Sequence, residues 1–201
     1  MTLEESQIRE LCKQYNEVVC PLIMQLEVYD KRFPVEILNE IRAVLDHFSK
    51  SFITDSEENK AKNIENATSH MNRAILDCFK YLCISLDDRY KNFEEKYKNV
   101  DLSLVSDGDF LPELLKKREN AAKMLYDAKM TELGIEHDSE TRQDSFEKYD
   151  LAYHAFYDVE VFINESSIKI ENIRKKAKVK DWLAIASFII GIIGIVLAIF
   201  K

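Results

Sequence analysis

The chain has 201 residues, with 28 Lys and Arg against 36 Asp and Glu, a net charge of −8, and 46% hydrophobic and 32% charged residues. That balance is ordinary for a folded helical domain, and the negative charge argues against general nucleic-acid affinity while leaving room for a local basic pocket. Four Gly and three Pro leave few tight turns, so the composition is that of an all-helical protein.

Helix punctuation is legible in chain order. Thr2-Leu-Glu-Glu5 has capping-box spacing, and Ile8, Leu11, Tyr15, Val19, Leu22 and Leu26 follow at helical intervals to about Lys31, with Pro21 expected to bend or interrupt this helix. Pro34 suits the first position of a second helix ending near Ser51. Thr54-Asp-Ser-Glu57 opens a third, which meets no Gly or Pro before about Val100. Asp107-Gly-Asp109 marks a turn, Pro112 sits in the first turn of a fourth helix, and Gly134 ends it. A fifth starts near Ser139, carries Phe146, Tyr149, Tyr153, Phe156, Val159, Ile163, Ile170 and Ile173 on one face, and meets no breaker afterwards.

From Trp182 to Phe200 no residue is charged. At about 1.5 Å per residue this run just spans a hydrocarbon core roughly 30 Å thick, so a C-terminal transmembrane helix is expected. Arg174, Lys175, Lys176, Lys178 and Lys180 precede it and Lys201 alone follows, which places the N-terminal part in the cytoplasm, with these residues and Trp182 at the membrane interface. The expected protein is thus a single-pass inner-membrane protein: a cytosolic antiparallel bundle of about five helices over 1–173, a juxtamembrane segment 174–181 and a span 182–200. Ala184, Ser187, Gly191, Gly194 and Ala198 fall on one stripe of that span. Small residues are common in any transmembrane helix, but such a stripe also suits close packing or pore lining in a homo-oligomer, a tetramer or larger.

Arg42-Ala-Val-Leu-Asp-His-Phe48 is echoed by Arg73-Ala-Ile-Leu-Asp-Cys-Phe79. On two antiparallel helices the copies can be related by a pseudo-twofold axis. Each Arg and Asp are four apart and share a face. Two readings fit. Each pair is a surface ion pair supporting its own helix, or the stripes Asn39, Arg42, Asp46, Ser49 and His70, Arg73, Asp77, Lys80 face one another around a polar pocket. In the second reading Arg42, His47, Lys50, His70, Arg73 and Lys80 collect phosphates, while Tyr81 and Phe48 stack on a base.

Cys12, Cys20, Cys78 and Cys83 have neither zinc nor redox spacing, and His47, His70, His137 and His154 are too scattered to hold a metal. No catalytic motif occurs, so neither catalysis, a cofactor nor a metal is expected.

The layout of a helical domain, a basic junction at Arg174 to Lys180 and one terminal span, with the duplicated RA[VI]LD[HC]F stretch, resembles small bacterial anti-phage membrane effectors of the Hailong type. The resemblance implies an oligomeric ion channel in abortive-infection defence, held closed by a nucleotide or single-stranded DNA oligomer made by a partner nucleotidyltransferase. The competing reading is a tail-anchored, SNARE-like or scaffold protein that binds a partner at a membrane without forming a pore. Against a SNARE, Asn164-Glu-Ser-Ser167 interrupts the apolar seam of the fifth helix.

Overall fold

The computed structural model describes residues 3–29, 33–134 and 139–199; within the helices, the side chains of 3, 4, 139–143, 181, 191 and 193–199 fall outside the description. Six α-helices account for most of it, joined by one π-helical and one 3-10 segment: α1 (Leu3–Gln14), α2 (Cys20–Tyr29), α3 (Val35–Ile53), α4 (Glu57–Tyr97), α5 (Phe110–Leu133) and α6 (Ser139–Ile199). The described residues contain no strand.

The expected first helix is α1 and α2 joined through a π-helical turn at Tyr15–Val19, where the Cys20 amide donates to the Tyr15 carbonyl. Pro21 has no amide hydrogen and its ring crowds the carbonyl four residues back. The wider turn immediately before it accommodates that clash, so the helix continues instead of breaking. Pro34 is the residue before α3, in extended backbone, rather than inside its first turn. The α4 cap is likewise displaced from the expected Thr54: the Ser56 hydroxyl accepts from the Asn59 amide at 3.4 Å. The capping box at Thr2 lies outside the described residues.

α4 is the axis of the bundle. Its residues Ile64, Met71, Cys78, Leu82, Leu86 and Phe93 are buried, and at about 1.5 Å per residue its 41 residues run roughly 60 Å. α3 returns along it, because contacts pair residue 40 with 70 and 73 but residue 47 with 63 and 70. α5 is also antiparallel to α4, through Arg118–Asp87 and Lys80–Glu132. α6 runs parallel to α4, pairing Arg89 with Glu160 and Lys96 with Glu171. The turn before α5 puts Ser106, Asp107 and Gly108 at φ of 52°, 56° and 100°. Only Gly108 adopts that conformation without a side chain to strain.

The echoed heptapeptides occupy the facing helices α3 and α4. Val44 and its counterpart Ile75 are both buried, and so are Ala74, Cys78 and Phe79 of the second copy. The second copy is therefore largely a core-packing segment, whereas the first buries Val44 alone. Burial pushes the Cys78 and Cys83 thiols up to about 12, which leaves both protonated and unreactive.

Helix α6 is one uninterrupted element of 61 residues, crossing the junction expected at 174–181. Its first part buries Tyr149, Ala152, Phe156, Val159 and Ile170 against α4 and α5. Arg174 still belongs to the bundle, donating to Glu171 at 3.1 Å and lying 5.6 Å from the Tyr97 ring. Beyond it α6 leaves the other helices.

That exit corrects the C-terminal expectation. Among the described residues no helix is long and apolar enough to cross a membrane. The transmembrane helix at 182–200 therefore does not stand. With it go the tail anchor, the ion channel and the single-pass inner-membrane location. Lys175, Lys176, Lys178, Lys180 and Trp182 are exposed positions of a continuing helix. Of the small-residue stripe, Ala184 and Ser187 are exposed, and the Ser187 hydroxyl donates to the Leu183 carbonyl at 2.8 Å. The side chains of Gly191, Gly194 and Ala198 lie outside the described residues.

Candidate functional site

The residues expected to collect phosphates divide among four local groups. On α3, Arg42, Asp46 and Lys50 share an exposed face, and Lys50 donates to Asp46 at 2.6 Å. That hydrogen bond, with the nearby Arg42 charge as a lesser contribution, holds the Asp46 carboxyl below its usual range. Asn39 and Ser49 are exposed alongside them, so this stripe faces solvent and not α4.

The second group does bridge the helices. His47 and His70 stack with ring centroids 5.3 Å apart and planes 22° from parallel. His47 Nδ1 lies 3.1 Å from the side-chain oxygen of Asn63, while the Asn63 amide donates to the Asn59 carbonyl at 2.9 Å. His70 Nδ1 is 2.7 Å from Glu40 Oε2, which Arg73 Nε also reaches at 3.2 Å. A second Arg73 nitrogen is 2.9 Å from the same His70 Nδ1. One ring nitrogen cannot both donate to Glu40 and accept from Arg73, and the shorter contact assigns its proton to the Glu40 bond. Glu40 is about three-quarters buried, whereas 53% of the Arg73 side chain is exposed. The pair therefore has a sheltered acid and an accessible guanidinium.

The third group lies across α4, α5 and α6. Lys80 donates to Glu132 at 2.6 Å, and the Tyr149 hydroxyl donates to the other Glu132 oxygen at 2.6 Å. Burial pushes the Glu132 carboxyl up, but the bonds from Lys80 and Tyr149 outweigh it and leave it lowered overall. Tyr149 is raised, first by burial and then by its bond to Glu132. Asp77, 3.4 Å from Lys80, is raised because its own burial exceeds the help from that lysine. Tyr81 forms the fourth group with Glu36, whose carboxylate it hydrogen-bonds.

His47, His70 and Arg73 are thus brought together, while Arg42 and Lys50, Lys80, and Tyr81 are engaged separately. Each group contains a carboxylate. An incoming phosphate at Arg73 would compete with Glu40, a negative charge already in place and hydrogen-bonded. Glu36, Glu40, Asn63, Glu132 and Tyr149 are the members that spacing did not reveal. Tyr149 carried the one readable signal, since a tyrosine within an apolar stripe brings a hydroxyl into the core and needs an acceptor there. Among the described residues no group of three or more His, Cys, Asp or Glu is placed to hold a metal ion.

Comparison with protein-family models, with curated proteins and with solved structures finds no match for this chain.

Proposed function

We propose that the chain is a non-catalytic assembly protein whose sixth helix joins it to further copies of itself. The observation that carries this reading is the second part of α6. Trp182, Leu183, Ile185, Phe188, Ile189 and Ile190 are between 51% and 70% exposed and occupy every side of the helix but that of Ala184 and Ser187. An apolar helix face this broad is normally buried, and apolar patches of this kind mark interaction sites. Nothing else in the described chain covers it. Another copy brings the same apolar surface, so a bundle of these helices buries in each chain what one chain leaves in water.

The α3–α4 cluster supports regulation by an anionic ligand such as a nucleotide or an oligonucleotide. Arg73 supplies the accessible donor, and displacement of Glu40 would loosen the clamp between the two helices.

The test is a cysteine at position 185. Ile185→Cys in a Cys12→Ser background should form disulfide-linked dimers under mild oxidation, and sedimentation should give a multiple of the chain mass. Phe188→Glu with Ile192→Glu should return the protein to single chains with unchanged bundle melting. A single-chain mass without cross-links overturns the reading, as does a chain that stays monomeric while sedimenting with phospholipid vesicles.

A further inference from the structure

Helices α2 and α6 each pack on α4 but barely on one another, which leaves a solvent-open cleft between them. Phe79 of α4 lines it, buried together with Leu22 of α2 and Tyr153 of α6. Tyr29 lines the α2 side, and Tyr157, one turn beyond Tyr153 and 40% exposed, lines the α6 side. The Tyr153 ring lies 6.3 Å from that of Tyr157 and 6.2 Å from that of Phe79. The cleft holds about 520 Å³, within the size range of small-molecule sites. Three tyrosines and a phenylalanine therefore border one accessible space.

The charge around these rings has one sign. Glu17 and Asp150 line the cleft from its two sides, with 63% and 49% of their side chains exposed, and no lysine or arginine is among the described residues that line it. Lys13 comes no closer to Glu17 than 3.9 Å in an exposed pair that solvent screens. His154 Nδ1 donates to the Asp150 carbonyl at 2.9 Å, with the Asp150 carboxylate farther off at 3.3 Å. Both carboxylates stay open to a further cation. Arg89, 5.4 Å from the Tyr29 ring, does not line the cleft and is ion-paired with Glu160. Burial, with Tyr29, Tyr157 and Asp150 nearby, pushes the Tyr153 hydroxyl up to about 12, so it stays protonated and donates to Gln25 at 2.7 Å.

We infer that the α2–α6 cleft binds a small quaternary ammonium compound, its methyl groups against Tyr29, Tyr153 and Tyr157 and its charge balanced by Glu17 and Asp150. Aromatic rings attract a cation through their quadrupole, and a fully alkylated nitrogen has no N–H group that burial would leave unpaired. A metal ion fits poorly, because it needs several oxygens at short range and the two carboxylates stand on separate helices. An anion would meet both carboxylates. The site involves neither the α3–α4 cluster nor the distal part of α6, and it does not depend on self-association.

The experiment is ligand-observed NMR titration of the full chain with choline, and with the dimethylbutanol in which carbon replaces its nitrogen as the neutral isostere. Choline should bind saturably, and the isostere at least about tenfold more weakly. Tyr157→Ala, at an exposed position where the fold has little to lose, should weaken choline binding at least about tenfold, whereas Tyr157→Phe should retain it. Glu17→Gln with Asp150→Asn should weaken it at least about threefold. No saturable binding of choline at millimolar concentration overturns the inference. An isostere that binds as well as choline does so too, because the cleft would then be reading shape and not charge. Binding untouched by Tyr157→Ala or by the double carboxylate variant, or lost in Tyr157→Phe, is equally fatal.

Discussion

The two parts of α6 both carry large apolar side chains and meet opposite fates. Before Arg174 the helix buries Tyr149, Phe156, Val159 and Ile170 at 4% exposure or less; after it Phe188 and Ile190 are 70% and 69% exposed. No break in the helix separates them. The first part has α4 and α5 alongside, and the second has neither. An apolar side chain stabilises the fold to the extent that a neighbour removes it from water, so helix formation and burial are separate events on the same element.

Phenylalanine truncation in the two parts sharpens this contrast most. Phe156→Ala should cost the bundle about 3–5 kcal/mol in urea unfolding, through lost burial and the cavity left behind. Phe188→Ala should change the same measurement by less than about 0.5 kcal/mol. Similar losses at both sites would mean that the distal part of α6 packs on the bundle after all.

A smaller effect is expected at the polar join between α5 and α6. Tyr149→Phe removes the hydroxyl that donates to Glu132 and should destabilise the fold by about 1–3 kcal/mol, chiefly by leaving a partly buried carboxylate oxygen unpaired. The Glu132 carboxyl, lowered in the folded chain, should move up in the variant, visible by carboxyl-carbon NMR titration.

The mildest test is acid. Glu171 accepts from the Tyr97 hydroxyl at 2.5 Å and lies 3.2 Å from Lys96, which together hold its carboxyl down to about 2. A depressed folded value stabilises the protein above the ordinary carboxylate range and loses that contribution as pH falls toward the folded value. Amide exchange near Tyr97 and Glu171 should therefore accelerate between about pH 4 and pH 2, and Glu171→Gln should flatten that slope. An unchanged slope would show that the end of α4 is held to α6 by packing alone.

Much of the fold was legible because Gly and Pro are so few. Gly134 closes α5 and Gly108 sits at the turn before it, as their positions indicate. Pro21 was harder: its effect depends on whether the preceding turn widens, and packing on α4 keeps the helix going. The α3–α4 site was half legible. His47, His70 and Arg73 do converge, but Arg42 shares its helix with His47 and points to water. A four-residue spacing identifies a common face without saying where that face looks.

The terminal apolar run shows the same limit. Its hydropathy alone led to a membrane span, yet among the described residues no helix is long and apolar enough to cross one. The sequence by itself determined an all-helical chain, the main helix boundaries and a polar interruption at 164–167, because these depend on local backbone preference and periodicity. Only the tertiary structure decided that Glu40 meets His70 and Arg73, that Glu132 joins Lys80 to Tyr149, and that Tyr29, Tyr153 and Tyr157 border one cleft. Those are meetings between distant residues, and they depend on how helices are rotated against one another, which no local preference encodes.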